Sequence, residues 1–108
     1  MAGMDDAANF LRATPGPPVD TSEDAVRLLA DLVAEASGLL ARSGAGKAAP
    51  DAFELAGFER RRAYVLTRCG DLWPEFAERA EVARQAWEDS ERAASVAAVD
   101  IARGARST

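Results

Sequence analysis

The stretch from Trp73 to Arg103, WPEFAERAEVARQAWEDSERAASVAAVDIAR, decides how the rest of this chain must pack. Its apolar and small residues recur at alternating steps of four and three over four heptads, the spacing that holds one seam of a helix against a neighbour. The seam positions are Phe76, Ala80, Ala83, Trp87, Ser90, Ala94, Ala97 and Ile101. The pattern predicts one long helix whose seam is bulky in its first half and small in its second.

The composition favours an all-α fold in one domain. Only 6% of the 108 residues are aromatic and 29% are charged, and the charged residues are spaced between apolar ones at helical intervals. A chain of this length supports one modest core. We predict a three-helix up–down–up bundle, a helical hairpin plus one helix, over residues 21–108. Residues 1–20 are predicted to be a lead-in.

The lead-in contains a short helical pattern followed by a proline-rich stretch. Met4 to Arg12 favour a short N-terminal helix that places Phe10 and Leu11 on the body of the protein. The prolines that follow Thr14 end it, since proline lacks an amide donor. Two alternatives stay open at this point. The lead-in is either ordered by the docking of Phe10 or a disordered tail.

The first long helix is predicted to start at Asp20 or Thr21, each with an acid three residues later that completes a capping box. It is expected to end near Gly44. Apolar residues in heptad phase predict its core face. These residues are Val26, Leu29, Val33, Ala36 and Leu40, and the stripe is widened by Leu28, Leu32 and Leu39.

The second helix is predicted to start at Asp51, which forms a capping box with Glu54. Its apolar stripe includes Leu55, Phe58 and Cys69 and is interrupted by Arg62. We expect Gly70 to stop this helix and Asp71 to cap the next one. The second and third helices are therefore predicted to form a tight antiparallel hairpin.

Net charge, cysteine content and hydropathy limit the partners and the cellular compartment that we expect for the protein. The formal net charge of −5 argues against a general polyanion binder. Cys69 is the one cysteine, so the chain cannot close a disulfide on itself. Asp5 and Asp6 occupy the place where a signal peptide is basic, and no apolar run has the length of a membrane span. We expect a cytoplasmic protein. Twelve arginines against Lys47 are typical of a bacterial coding bias.

The sequence contains no strong candidate for a catalytic, metal-binding or nucleotide-binding site. The loop from Ser43 to Lys47 resembles a phosphate-binding loop, but alanine occupies the first glycine position and the position after the lysine. The chain has no histidine, which argues against a di-metal bundle site and against most acid–base catalysis. Acidic residues on the long helix alternate with arginines and predict a solvated face. We predict no catalytic residue, no metal site and no cofactor.

Three arginines of the second helix favour an alternative function, the binding of nucleic acid. Arg60, Arg61 and Arg68 are the possible nucleic-acid contacts of a small helical regulator. Successive helical residues point about 100° apart, so these side chains do not share one face. Nucleic acid is therefore the less favoured partner.

The preferred functional hypothesis is based on the predicted lengths of the helices. The second helix is expected to cover the third only to about Arg92, which leaves residues 93–102 uncovered. An uncovered apolar stripe commonly marks association, although a frayed tail is the simpler alternative. The predicted interface residues are Ala94, Ala97, Ala98 and Ile101. We predict a non-enzymatic adaptor, assembly or accessory subunit whose partner is another protein or itself, with a homodimer expected.

Overall fold

The computed structural model of the chain describes residues 9–44 and 50–107, and over these ranges it is all-α, as predicted. Helix α1 covers residues 9–13, and three longer helices and one 3-10 turn follow. These are α2 (Ser22–Gly44), α3 (Ala52–Leu72), the 3-10 turn (Pro74–Phe76) and α4 (Ala77–Ser107). The start of the predicted N-terminal helix and most of the loop compared with a phosphate-binding loop lie outside the described residues.

Side-chain caps fix the starts of α2 and α3. The hydroxyl of Thr21 accepts a hydrogen bond from the backbone N–H of Asp24 at 3.2 Å, and the Asp24 carboxylate accepts one from the Thr21 N–H at 3.3 Å. Of the two boxes that the sequence left open, this is the one that forms. At α3, the Asp51 carboxylate accepts from the N–H of Glu54 at 2.8 Å, which confirms the predicted start.

The connection between α3 and α4 differs from the prediction. Gly70 does not stop α3, which continues to Leu72 and ends at the extended residue Trp73. Gly70 instead lies where α4 approaches closely: a β-carbon there would be 3.7 Å from the Cα of Ala77. Asp71 does not cap α4 but pairs with Arg12 at 2.8 Å. The prediction was wrong because glycine, which has no β-carbon, occurs where two helices pack closely as well as at helix ends.

Residues 9–20 pack against the body of the protein. Leu11 is 0% exposed and belongs to the same core cluster as the side chains of α3 and α4. The hydroxyl of Tyr64 donates a hydrogen bond to the carbonyl of Pro17 at 2.9 Å. Phe10 stacks on Trp87 with ring centroids 5.9 Å apart but stays half exposed. The anchor of this segment is therefore Leu11.

Helix α2 packs on α3 in the antiparallel direction. Arg42 pairs with Glu54 near the start of α3, and Glu35 pairs with Arg61 farther along it. The α2 side chains that reach the core or pack against it are Ala25, Leu28, Leu29, Leu32, Ala36 and Leu39.

The predicted core stripe of α2 is only partly correct. Val26, Val33 and Leu40 are 68%, 67% and 75% exposed. The apolar arc of α2 is wider than the face that α3 covers, and burial of the whole arc requires a second neighbour. Three of the five residues predicted in heptad phase therefore lie on the surface, whereas Leu28, Leu32 and Leu39, predicted to widen the stripe, lie in or against the core.

Candidate functional site

An apolar groove lies between α2 and the start of α4, with α3 as its floor. Its central cavity has a volume of about 330 Å³, and an adjoining cavity of about 360 Å³ shares three of its lining residues. We call this surface the groove and define it by its principal lining residues. They are Leu29, Val33, Phe58, Arg62, Leu66, Phe76, Arg79 and Val82. A depression of this size lined mainly by apolar side chains is suited to binding another apolar surface.

Two arginines place positive charge at the groove, and their environments differ. Arg62, which interrupted the apolar stripe of the sequence, is half-buried and pairs with Glu59 on its own helix at 3.1 Å. Arg79 is exposed, and its guanidinium carbon lies 5.6 Å from the centre of the Phe76 ring. No carboxylate among the described residues forms an ion pair with Arg79. The groove thus has a cation that a partner's carboxylate can reach.

The last part of α4 extends beyond α3. Helix α4 has 31 residues and α3 has 21, so at 1.5 Å per residue α4 is about 15 Å longer. Within residues 93–102, which we call the terminal segment, Val96 is 59% exposed and Ile101 is 64% exposed. Val99 is also exposed. These side chains are apolar and helical, and residues 9–44 and 50–107 leave them uncovered.

The four predicted interface residues differ in how far they are exposed to solvent. Ala94 is 8% exposed and Ala97 is half-buried, so the chain covers α4 slightly past Arg92. Ala98 and Ile101 are exposed. The seam therefore continues into the core as far as Ala94 and reaches solvent only near its end.

Two further apolar residues of the terminal segment lie on another face. At 100° per residue, Val96 and Val99 are about 160° and 140° from Ala94 around the helix. They border a shallow depression together with Arg92, Ser95, Asp100 and Arg103. The exposed apolar surface of the segment is therefore shared between the end of the seam and the opposite face.

The three arginines of the nucleic-acid alternative do not form one basic surface. Arg60 lies over the ring of Phe10, with its guanidinium carbon 5.2 Å from the ring centre. Arg61 pairs with Glu35 of α2, on a different side of α3. Arg68 is half-buried. The structure thus directs Arg60 and Arg61 towards different parts of the same chain.

Reactive and metal-binding groups are sparse in the described ranges. No group of three histidine, cysteine or acidic side chains suitable for a metal occurs within residues 9–44 and 50–107. Cys69 is fully buried, and burial raises the pKa of its thiol, which disfavours the reactive thiolate.

A small polar cavity of about 140 Å³ lies near the turn between α3 and α4. Two of its lining side chains, Arg12 and Arg84, already pair with Asp71 and Glu81. The arginine charges are thus neutralised within the chain, so the cavity offers no excess positive charge to an anion.

In the described part of the chain, no helix combines the length and apolarity that crossing a membrane requires. Comparison with protein-family models, with curated proteins and with solved structures finds no match to this chain.

The groove was not predicted from the sequence. Val33 was assigned to the core, and Val82 and Arg79 lie off the seam of α4. One signal was available: Arg79, Val82, Ala86, Asp89, Ala93, Val96 and Asp100 form a second series at steps of three and four. A second heptad series on one helix indicates a second neighbour.

Proposed function

We propose that this protein is a non-enzymatic interaction module, an adaptor, assembly or accessory subunit, that self-associates through the terminal segment of α4. The observation that carries the proposal is the exposure of Val96, Val99 and Ile101 on a helix that extends past its neighbour. Isolated exposed apolar residues are ordinary on protein surfaces. Val96 and Val99 lie nearly one turn apart on one face of the helix and form a small patch, whereas Ile101 is exposed at the end of the seam on the opposite face. A homodimer is the expected assembly, since two-fold dimers are the commonest closed oligomers.

A cytoplasmic, bacterial setting is part of the same proposal. It is supported by the lone buried cysteine, which suits a reducing compartment, and by the excess of arginine over lysine.

Analytical ultracentrifugation over a range of protein concentrations tests the proposal. We expect a dimer that becomes a monomer when Val96 and Ile101 are both replaced by glutamate, because the buried charges of each protomer would then lack partners. Leu40→Glu is the matched control, since Leu40 is equally apolar and exposed but lies outside the groove and the terminal segment. Circular dichroism checks that each variant remains helical.

A wild-type chain that stays monomeric at high concentration would remove the self-association part of the proposal. The nucleic-acid alternative has its own test. Salt-dependent binding of the wild-type protein to DNA, lost in Arg60→Glu, would favour that alternative over an interaction module.

A further inference from the structure

Among the described residues, α4 contributes to two apolar surfaces that no other helix covers. The groove lies beside its first turns, around Arg79 and Val82, and the terminal segment lies near its end. Arg79 and Asp100 are separated by about 32 Å along the helix axis. A continuous helix cannot fold back on itself, so the terminal segment does not reach the groove of its own molecule.

The terminal segment has the shape and chemistry that the groove accepts. It is helical, and Val96 and Val99 lie nearly one turn apart on an exposed face. Alanines fill the positions between and around them, so a neighbouring backbone can approach closely. An amphipathic helix placed in an apolar groove is a recurring mode of recognition between proteins.

One charge on each surface is of opposite sign to one on the other, Arg79 at the groove and Asp100 at the terminal segment. Glu78 also lines the groove, and Arg92 and Arg103 border the depression beside Asp100. Asp100 lies one turn after Val96 and borders the same depression as Val96 and Val99. Arg79 lines the groove next to Val82. Among the described residues, neither the Asp100 carboxylate nor the Arg79 guanidinium takes part in an ion pair. An exposed cation beside one apolar surface thus matches an exposed anion beside the other.

We infer that the groove is the docking site for the terminal segment of a second copy of this chain. Val96 and Val99 of one protomer cover Leu66 and Val82 of its partner, and Asp100 lies beside Arg79. The inference deepens the proposed self-association, on which it rests, by naming the surface that receives the terminal segment.

Symmetry fixes the orientation of the two helices. In a closed two-fold dimer, if residue 100 of one protomer meets residue 79 of the other, residue 79 of the first also meets residue 100 of the second. Straight helices satisfy both contacts only when they are antiparallel and the axis passes near residue 90. Each groove and each face formed by Val96 and Val99 is then covered once in the dimer.

A charge exchange tests this arrangement with the full-length protein. Dimer dissociation constants are measured by analytical ultracentrifugation for the wild type, Arg79→Asp, Asp100→Arg and the double variant. We expect each single change to weaken the dimer by roughly tenfold, since it brings like charges together twice in each dimer. The double variant restores the pairing and returns the constant to near the wild-type value.

Arg27→Asp is the matched control for the exchange, because it makes the same change of net charge at an exposed position of α2 outside the groove. We expect it to leave the dissociation constant close to that of the wild type. An equal loss in the control and in Arg79→Asp, with no recovery in the double variant, would overturn the docking arrangement.

The outcomes separate this inference from the proposed function. If the wild type is a monomer, both fail. If the dimer is lost in the variant with glutamate at Val96 and Ile101 but unchanged by Arg79→Asp, self-association stands and the groove is not its acceptor. A dimer that dissociates in the single charge variants and re-forms in the double variant supports the inference.

Distance measurements provide an independent check. Because Cys69 is fully buried, a nitroxide attaches selectively to the exposed thiol of Ser95→Cys. This spin-labelled copy is mixed with an isotope-labelled wild-type copy. We expect selective broadening of the methyl signals of Leu66 and Val82 in the wild-type copy. Broadening confined to the terminal segment would instead show that two such segments pair with each other, which contradicts docking in the groove.

Discussion

Replacement of Leu11 by alanine tests whether the N-terminal segment is part of the folded unit. Leu11 is 0% exposed and shares the core cluster with Tyr64, Cys69 and Ala80, although it lies outside the three long helices. Truncation removes buried apolar atoms and leaves a cavity in a well-packed region. For fully buried leucines this change costs about 2–5 kcal/mol.

A loss of this size is large for a protein of 108 residues. Domains of this kind are stable by about 5–15 kcal/mol, so a loss near 3 kcal/mol removes a substantial part of the total. At about 4 °C per kcal/mol for a chain of this length, the melting temperature should fall by roughly 12 °C. We expect the urea midpoint to fall with little change in the slope of the transition, since the same surface is exposed on unfolding.

The assay is urea unfolding followed by circular dichroism at a protein concentration where the chain is monomeric. Leu40→Ala is the control, because Leu40 is 75% exposed and its truncation should cost under about 0.5 kcal/mol. If Leu11→Ala lowers stability by less than about 1 kcal/mol, the N-terminal segment opens on its own at low cost. The segment would then not belong to the cooperative core.

Three further predictions concern the N-terminal segment, an ion pair and the thiol. Gly16→Ala should destabilise the fold and change the near-ultraviolet circular dichroism of Tyr64, because the added β-carbon would lie 2.8 Å from its ring. The hydrogen bond from Arg42 lowers the pKa of Glu54, so the stabilising effect of this pair should be present at neutral pH and be lost as the pH falls below about 4. Glu54→Gln should remove that part of the acid sensitivity in urea titrations at pH 7 and pH 3. Cys69 should react with a thiol reagent only at the rate of unfolding, and rapid labelling of the native protein would contradict its burial.

Local sequence determined which parts of the chain are helical and where two of the helices begin. The cap at Asp51 uses contacts within one turn, and such contacts depend only on neighbours in sequence. The seam of α4 was also correct for Ala80, Ala83 and Ala94, which are buried. A heptad spacing specifies one inward face without reference to the neighbour that covers it.

The tertiary structure alone decided which apolar faces are left uncovered. Val26 and Val33 have the spacing of a core stripe, but α3 covers only one side of α2, so both are exposed. Gly70 fits a helix end equally well by sequence, and the close approach of α4 at Ala77 gives it a different role. Leu11 lies in a short segment without a long periodic pattern, and its full burial depends on contacts with residues distant in sequence.

The tertiary structure alone also decided where the groove lies and that Arg79 and Asp100 form no ion pair among the described residues. A residue's own sequence pattern shows that it is apolar or charged, but exposure and pairing depend on how many neighbours each helix acquires. The amino-acid sequence thus determined which segments are helical and which face of α4 points inward. The packing of α2 against one helix instead of two determined the surface that a partner can occupy.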